Sequence, residues 1–424
     1  MATQGDQLLN LSGMFFRRYS KKVLTSFTAN SIIQAKKPVG QAERFGESYN
    51  VPITFATEQG VTYKRTGQGA FGLKNAVDGE IKNLVIQGAN HVVRARIGYE
   101  GAAASLAGKE AAADNTLGRV AESLRTVARK RIECDFLYGQ TGLGIVESIT
   151  DATHVVVTEA EWAPNIWVGS KNAVVQFHTP GYAAGSEQIE TTLAGMVSST
   201  RTLTVASTTG IDVGNIITFQ DQVEEGATPA YNTCLGLHAQ LGDNTVSHFG
   251  QSKTANEVIS VNVVSANNAR LSFDVVQEGV SRCQDMGADS TDYVLLCSPL
   301  TWVRLNSDLA ADRRFDGSYT KSKGELGVET IKYHSSMGTV EIMAHPLVKR
   351  GYAYGFSWDD IIRPGSYDLS FTRPGGSAEG LDVSGSIFTE VTDVAGYEVR
   401  LYHNSAIAHL VPSHGFMVNL INNA

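Results

Sequence analysis

The sequence predicts an α+β protein of more than one module, and three patterns support this. Residues 44–100 alternate apolar and polar side chains, which is the two-residue period of β-strands. Residues 106–138 repeat apolar side chains at three- and four-residue steps, which predicts one long helix. From about residue 145 to 280 the helical period is absent, which predicts an all-β module. A length of 424 residues with 42 glycines agrees with several turn-rich modules.

The chain begins with a basic segment. Residues 16–37 carry six Lys or Arg residues and no acidic residue, and residues 15–27 can form a short amphipathic helix. The basic side of this helix consists of Arg17, Arg18, Lys21 and Lys22. Such a side suits a membrane or nucleic-acid contact, or the solvated side of an arm that packs on a neighbouring subunit. The second interpretation is favoured because the helix is short.

Residues 44–100 then read as long hairpin ribbons with one apolar face per strand. The first apolar face is formed by Tyr49, Val51, Ile53 and Phe55. A second strand is predicted around Val93–Tyr99, and glycines between the two runs mark turns that also contain Phe71. An isolated ribbon is marginally stable in water, so something must cover these apolar side chains. The simplest cover is another copy of the same chain.

The helix predicted over residues 106–138 has a single apolar face. That face contains Leu117, Val120, Leu124, Val127, Ala128, Ile132 and Phe136. Gly139 follows directly and is a plausible residue for the left-handed turn that ends many helices. A rod of this kind, apolar on one side, is expected to be the spine of a larger body.

The predicted all-β module contains short strands such as His154–Thr158, Arg201–Ala206, Asn215–Phe219, Glu257–Val264 and Arg270–Phe273. Because helical periodicity resumes after it, the module is expected to be an insertion. Residues 180–280 contain ten acidic and three basic residues, whereas the first fifty residues contain seven basic and three acidic residues. This asymmetry suits head-to-tail contacts between identical copies, or an arm that faces a polyanion.

An α/β section is predicted from Tyr293 onwards. Tyr293–Cys297 reads as a buried strand, and Ser298 with Pro299 forms the cap and first turn of a helix. A polar loop over residues 315–327 is followed by a predicted hairpin. Further strands are expected at Glu329–His334, Thr339–Ala344, Tyr352–Phe356, Ser386–Val391, Tyr397–His403 and Ala406–Val411.

Composition and motifs argue against several classes of function. A net charge of −8 disfavours nucleic-acid binding as the main task. The four cysteines lack metal or disulfide spacing, and we expect neither a cleaved secretion signal nor a membrane contact. Gly67–Gly72 matches GxGxxG but lacks the strand and helix that dinucleotide binding needs. No nucleophile is paired with a base, so we expect no catalytic residue, no metal and no cofactor.

The order of these parts resembles the major capsid proteins of tailed bacteriophages, the Hong Kong 97-type shell family that encapsulins share. The similarity lies in the ribbon VPITFATEQGVTYKRTGQGAFGLKNA and in the run RARIGYEGAAASLAGKEAAADNTLGRVAESLRTVARKRIECDFLYGQTGLG. It continues in SPLTWVRLNSDLAADRRF and in GVETIKYHSSMGTVEIMAHPLVKRGYAYGFSWDDIIRPGSYDL. As an order of parts, it spans more than half of the chain.

The resemblance implies a division of the chain into parts. They are an N-terminal arm (1–40), an extended loop over an adjacent subunit (41–104), the spine helix of a peripheral domain (105–144), an inserted β module with connecting strands (145–282), a mainly axial domain (283–385) and C-terminal strands that return to the body (386–424). Residues 315–327 would then approach the symmetry axis of a capsomer.

The resemblance also implies a function. A subunit of this family self-assembles into hexamers and pentamers that form an icosahedral head around double-stranded DNA, within a virion assembled in the bacterial cytoplasm. Expected partners are the chain itself, a separate scaffolding protein, a portal, a decoration protein on the β module and, without sequence specificity, packaged DNA. Candidate contact residues for neighbours or genome are Arg17, Arg18, Lys21, Lys22, Tyr49, Val51, Ile53, Phe55 and Phe71. An encapsulin-like compartment and a carbohydrate-binding or enzymatic β-rich protein remain open alternatives.

Overall fold

A computed structural model of the chain describes residues 31–40, 46–67, 69–98, 114–182, 189–224, 230–315, 330–335, 338–371, 389–390 and 396–423. The helix predicted over 15–27 lies outside these residues, as do Arg17, Arg18, Lys21 and Lys22. All but the first residue of the predicted loop at 315–327 also lies outside them.

Helices and strands alternate unevenly along the chain. The helices are α1 (Ile32–Lys36), α2 (Asp114–Tyr138), α3 (Pro164–Trp167), α4 (Leu237–Gly242), α5 (Phe273–Asp285) and α6 (Pro299–Phe315). The strands are β1 (Tyr49–Ala56), β2 (Glu80–Ile86), β3 (Ala89–Gly98), β4 (Gly144–Asp151), β5 (His154–Val157), β6 (Val174–His178), β7 (Ile189–Val197), β8 (Thr202–Val205), β9 (Ile216–Phe219), β10 (Val223–Glu224), β11 (Ala230–Tyr231), β12 (Asn262–Ser265), β13 (Asp292–Cys297), β14 (Thr330–Ser335), β15 (Gly338–Ala344), β16 (Ala353–Phe356), β17 (Ile361–Ile362), β18 (Tyr367–Ser370), β19 (Thr389–Glu390), β20 (Gly396–Ser405), β21 (Ala408–His409) and β22 (Phe416–Asn419).

The α/β body is built on a six-stranded mixed sheet in the order β12-β22-β16-β13-β15-β14. Its central strand β13 is buried over five of six positions, as the sequence predicts for Tyr293–Cys297. The predicted cap is also confirmed, because the backbone N–H of Thr301 donates to Ser298 Oγ at 3.2 Å. Helix α5 packs on the sheet through Val276, Val280 and Cys283, all fully buried.

A second sheet joins the ribbon to the C-terminal part of the chain. Strand β3 pairs with β20 along ten residues, and β20 also pairs with β18 and β19. Helix α2 packs on this sheet through Leu124 and Ala128, which cluster with Val399 and Leu401. The predicted apolar face of the helix is thus confirmed at these positions, whereas Val127 is 41% exposed.

Gly139 ends α2 for a reason other than the predicted one. The left-handed residue at this helix end is Gln140, with φ of 68°. A Cβ on Gly139 would lie 2.0 Å from the carbonyl oxygen of Cys234. The glycine is therefore needed for the close approach of the chain before α4, which is a long-range contact that no local pattern predicts.

Residues 144–219 form a closed six-stranded barrel in the order β4-β5-β8-β7-β6-β9. Its interior is apolar and includes Val155, Phe177, Leu203 and Ile217, all fully buried. Among the described residues, each of the six strands pairs with two neighbours, which closes the barrel.

The pattern from about residue 145 to 280 predicts one all-β module, and this prediction is wrong in its second half. The predicted strand Glu257–Val264 is a short 3-10 helix followed by β12, and β12 pairs in parallel with β22 of the main sheet. The predicted strand at Arg270–Phe273 is instead the cap of α5, where Ser272 Oγ accepts from the backbone N–H of Val275. Short apolar runs do not distinguish a strand from a buried helix, and here the long-range packing decides.

Candidate assembly surface

The ribbon formed by β1 and β2 has one half-buried face and one exposed face. In register, Tyr49 lies opposite Ile86, Val51 opposite Leu84 and Ile53 opposite Lys82. Leu84 and Ile86 are fully buried, and Tyr49 and Val51 pack against the main core of the same chain. The alternation predicted from Tyr49 to Phe55 is therefore present. The chain's own body covers the root of the apolar face, while Ile53 and Phe55 lie further along the ribbon.

The loop that joins β1 to β2, residues 57–67 and 69–79, is here called the ribbon tip. Five large apolar side chains in it are exposed. They are Val61 (60%), Tyr63 (91%), Phe71 (52%), Leu73 (83%) and Val77 (54%). Scattered exposed apolar residues are ordinary, but five within one loop make the ribbon tip a candidate interaction surface.

The conformation of the ribbon tip is set by local contacts. Lys64 Nζ donates to the carbonyl oxygens of Gly69 at 3.1 Å and Ala70 at 2.8 Å, and it lies 5.1 Å from the centroid of the Phe71 ring. Gly67 and Gly69 have φ of 89° and 65°, which L side chains rarely adopt. The GxGxxG match is thus part of a turn in the ribbon tip.

Glu133 of α2 fixes the root of the arm. Its carboxylate accepts from the backbone N–H of Ile33 at 2.6 Å and of Gln34 at 3.3 Å, and from Gln34 Nε2 at 3.1 Å. His345 Nε2 also contacts Glu133 Oε1 at 3.1 Å, and both side chains are fully buried. No local sequence pattern indicates this buried role of Glu133, because its partners lie 99 to 212 positions away.

Replacing Glu133 with Gln is expected to destabilise the chain by about 1.5–3 kcal/mol, the contribution of hydrogen bonds to a charged group. The amide NH₂ would face the donors of α1, which already point at this side chain. Urea unfolding of the full chain measures the effect. Glu122→Gln, an exposed site on the same helix, is the matched control and should leave the unfolding free energy unchanged. Equal stability of the two variants would contradict the role of Glu133.

Another buried network joins β3, β20 and α2. His91 Nε2 contacts Asp135 Oδ2 at 2.7 Å, and His91 Nδ1 contacts His403 Nδ1 at 3.2 Å. His403 Nε2 is 2.8 Å from Ser405 Oγ and 3.1 Å from an Arg363 nitrogen. The series from serine through two histidines to aspartate resembles a nucleophile with its base. Ser405, however, is fully buried and Arg363 donates to it as well, so this geometry does not present a nucleophile to a substrate.

Arg17, Arg18, Lys21 and Lys22 lie outside the described residues. Among the described residues, no group of three or more His, Cys, Asp and Glu side chains could hold a metal. Likewise, no helix in the described part of the chain is long and apolar enough to cross a membrane.

Comparisons with known proteins give a match in structure but not in sequence. No protein-family model matches the chain, and no curated protein is similar to it in sequence. The capsid asymmetric unit of cyanophage A-1(L) aligns with a TM-score of 0.55 at 12% identity, over 98% of this chain and 99% of that one. The capsid of a native GTA particle gives a TM-score of 0.48 at 8% identity, over 99% and 98%. The SrpI encapsulin of Synechococcus elongatus PCC 7942 gives 0.41 at 9% identity, over 100% and 98%.

The alignment with the cyanophage subunit covers both chains almost completely, so it includes the ribbon, α2 and the α/β body together. The chain therefore has the Hong Kong 97-type capsid fold.

Proposed function

We propose that this chain is the major capsid protein of a tailed bacteriophage, a structural subunit rather than an enzyme. Copies assemble into hexamers and pentamers that form the icosahedral head around double-stranded DNA, and the protein resides in the virion. The observation that carries this proposal is the likeness to the cyanophage A-1(L) capsid subunit over 98% of the chain. The proposed partners are further copies of the chain, a scaffolding protein, a portal, a decoration protein on the barrel and packaged DNA.

The exposed ribbon tip supports assembly as the working activity. It presents apolar side chains that the subunit itself leaves uncovered, with Tyr63 and Leu73 the most exposed. A single such contact is weak, but a closed lattice repeats it for every copy, and the repeated contacts act together. We assign the ribbon to the extended loop of the fold, α2 to the spine helix, and much of 283–385 to the axial domain.

The candidate contact residues divide into three groups under this proposal. Ile53, Phe55 and Phe71 belong to the part of the ribbon that would lie on an adjacent subunit. Tyr49 and Val51 contribute less, because they already pack on their own core. The basic arm residues Arg17, Arg18, Lys21 and Lys22 would contact an acidic neighbour or the genome.

Leu73→Asp is expected to raise the protein concentration needed for assembly by roughly tenfold to 150-fold. This range corresponds to the loss of about 1.5–3 kcal/mol of apolar burial per contact. Light scattering and sedimentation of purified protein measure the threshold. Val213→Asp, a similarly exposed site (66%) on the barrel, is the matched control and should assemble normally.

The thermal unfolding of both free variants should match that of the unaltered protein, because both side chains are exposed. Normal assembly of Leu73→Asp would contradict a lattice contact at the ribbon tip. Shells that contain a cargo protein in place of nucleic acid would favour the encapsulin alternative and leave the shell proposal standing.

A further inference from the structure

The network of His91, His403, Asp135 and Arg363 lies at the root of the ribbon and at the root of the arm. Strand β3 begins shortly after β2, the second strand of the ribbon. Lys37 directly follows α1 at the root of the arm. Arg363 NH1 donates to Lys37 O at 3.4 Å, and Arg363 also forms an ion pair with Asp368 at 2.8 Å. Through His403, His91 and Asp135 the same network reaches β20, the ribbon strand and α2. Arm, ribbon and spine helix therefore meet at one set of hydrogen bonds.

The distances fit one arrangement of protons when both histidines are neutral. Asp135 accepts from His91 Nε2–H, which leaves His91 Nδ1 as an acceptor. His403 Nδ1–H donates to that atom, so His403 Nε2 is left to accept from Arg363 and from the Ser405 hydroxyl. Each polar group then has a partner, and no two donors face each other.

Adding one proton forces a second arrangement. His91 becomes doubly protonated beside Asp135, and its Nδ1–H now donates to His403 Nδ1. The Nδ1 proton of His403 has moved to His91, and the added proton resides on His403 Nε2, where it donates to Ser405 Oγ. Arg363 now faces an N–H group instead of a lone pair and loses this hydrogen bond. Its link to the Lys37 carbonyl, at 3.4 Å already the longest in the network, is the contact expected to weaken.

We propose that Ser405, His403, His91 and Asp135 form a proton relay that couples protonation beside the ribbon strand to release of the root of the arm. His91 is the group accessible to solvent, with 19% of its side chain exposed, whereas His403 is buried. The two arrangements differ by a proton position and one arginine contact, which is the kind of two-state element that a change of pH can bias.

The charged groups around the relay determine its direction. Asp135 faces His91 from α2, with its Oδ2 2.7 Å from His91 Nε2. Arg363, which follows β17, faces His403 and opposes a positive charge there, and the Arg363 nitrogen that contacts His403 also donates to Asp368 of β18. Gln222, beside β10, donates to the second oxygen of Asp135 at 2.7 Å. Burial, together with His91 and Arg363, holds the pKa of His403 well below its ordinary value.

Hydrogen exchange of the full-length, unassembled subunit at pH 7.5 and 6.0 tests the relay. After correction for intrinsic exchange rates, the amides of Ala35 and Lys37 should lose protection by roughly 5- to 150-fold at the lower pH. The amides of β13 report on global unfolding, and their loss of protection at the lower pH should be the same in the unaltered chain and in the relay variants. His91→Gln keeps a donor for Asp135 but cannot be protonated, so the response of the arm should disappear. His154→Gln, at an exposed histidine beside Asp151, is the matched control and should respond like the unaltered chain.

A second variant keeps the test valid where His91→Gln fails to fold. Ser405→Ala leaves the neutral arrangement possible but removes the acceptor that the protonated arrangement needs, so the arm should respond only at lower pH. The proposal is overturned by equal pH responses of the arm in the unaltered chain and in the relay variants. It is also overturned if the relay variants change the pH response of β13 as much as they change the response of the arm. These measurements use the free subunit, so they do not depend on the shell function.

Discussion

Lowering the pH from 7 to 5 is expected to remove about 6 kcal/mol of unfolding free energy from the free subunit, about 2 kcal/mol for each of three histidines, the buried His248 and His409 and the half-buried His238. This loss is comparable to the whole stability of many domains. Burial is the largest cause. It lowers the pKa of His238 to about 4, where Lys349 adds to the effect, and that of His248 to about 3, where Lys253 and His409 add to it. Burial and His414 lower the pKa of His409 to about 3.

The sign follows from proton uptake. In the unfolded chain these histidines have an ordinary pKa of about 6.5. Below that pH the unfolded state binds protons that the folded state does not bind until about pH 4 or 3. Stability contributed by the neutral rings is therefore complete above about pH 6.5 and decreases as the pH falls towards the folded values. His403, whose pKa is lowered in the same direction, adds to the loss.

Urea unfolding at a series of pH values between 7 and 5 measures this loss. His248→Gln retains a donor for the carbonyl oxygen of His409, which His248 Nε2 contacts at 2.9 Å, but it cannot take up a proton. Between pH 7 and 5 its stability should fall less steeply than that of the unaltered chain, by about 1 kcal/mol per pH unit on average. His154→Gln, at an exposed site, should leave the slope unchanged. Parallel profiles for all three proteins would contradict the assignment to buried histidines.

Lys349→Met is expected to destabilise the chain by about 3–5 kcal/mol, the cost of leaving a buried charge without its partner. Lys349 Nζ donates to Glu161 and, at 3.0 Å, to the carbonyl oxygen of Gly142, and it lies 4.3 Å from the centroid of the Tyr138 ring. Tyr352 donates its hydroxyl to Glu161 at 2.7 Å. Burial alone would raise the pKa of Glu161, but the charge of Lys349 and hydrogen bonds to the carboxylate lower it below its ordinary value.

This ion pair links the barrel to the α/β body, because Glu161 lies between β5 and α3 and Lys349 follows β15. Adding Glu161→Leu to Lys349→Met should recover much of the loss, since both buried charges are then absent. Lys171→Met, at an exposed lysine of the barrel, is the matched control and should change stability by less than about 0.5 kcal/mol. If Lys349→Met is no more harmful than Lys171→Met, the ion pair does not hold the two parts together.

Local sequence patterns correctly predicted the secondary-structure elements that depend only on neighbouring residues. The alternation in β1, the buried strand β13 and the Ser298 cap each depend on a few neighbouring residues, and each is present in the structure. The resemblance in order of parts supplied the overall fold. The exposed ribbon tip was foreseen only in outline. Phe71 was named, while Tyr63 and Leu73, which are more exposed, were not.

The polar networks could not be predicted because their members are far apart in sequence. His91 and His403 are separated by 312 positions and meet only because β3 and β20 pair in register. Glu133 and His345 are separated by 212 positions. The same reason explains the wrong boundary predicted for the β module. Strand β12 pairs with β22, which lies about 150 positions further along the chain near its C-terminal end.

Electron microscopy of the purified full-length protein tests the proposed shell function most directly. We predict closed shells made of fivefold and sixfold rings, in which the ribbon tip of one copy, with Tyr63 and Leu73, lies on an adjacent copy. A protein that remains a small monodisperse monomer at high concentration, with the ribbon tip in contact with solvent, would contradict the proposed function.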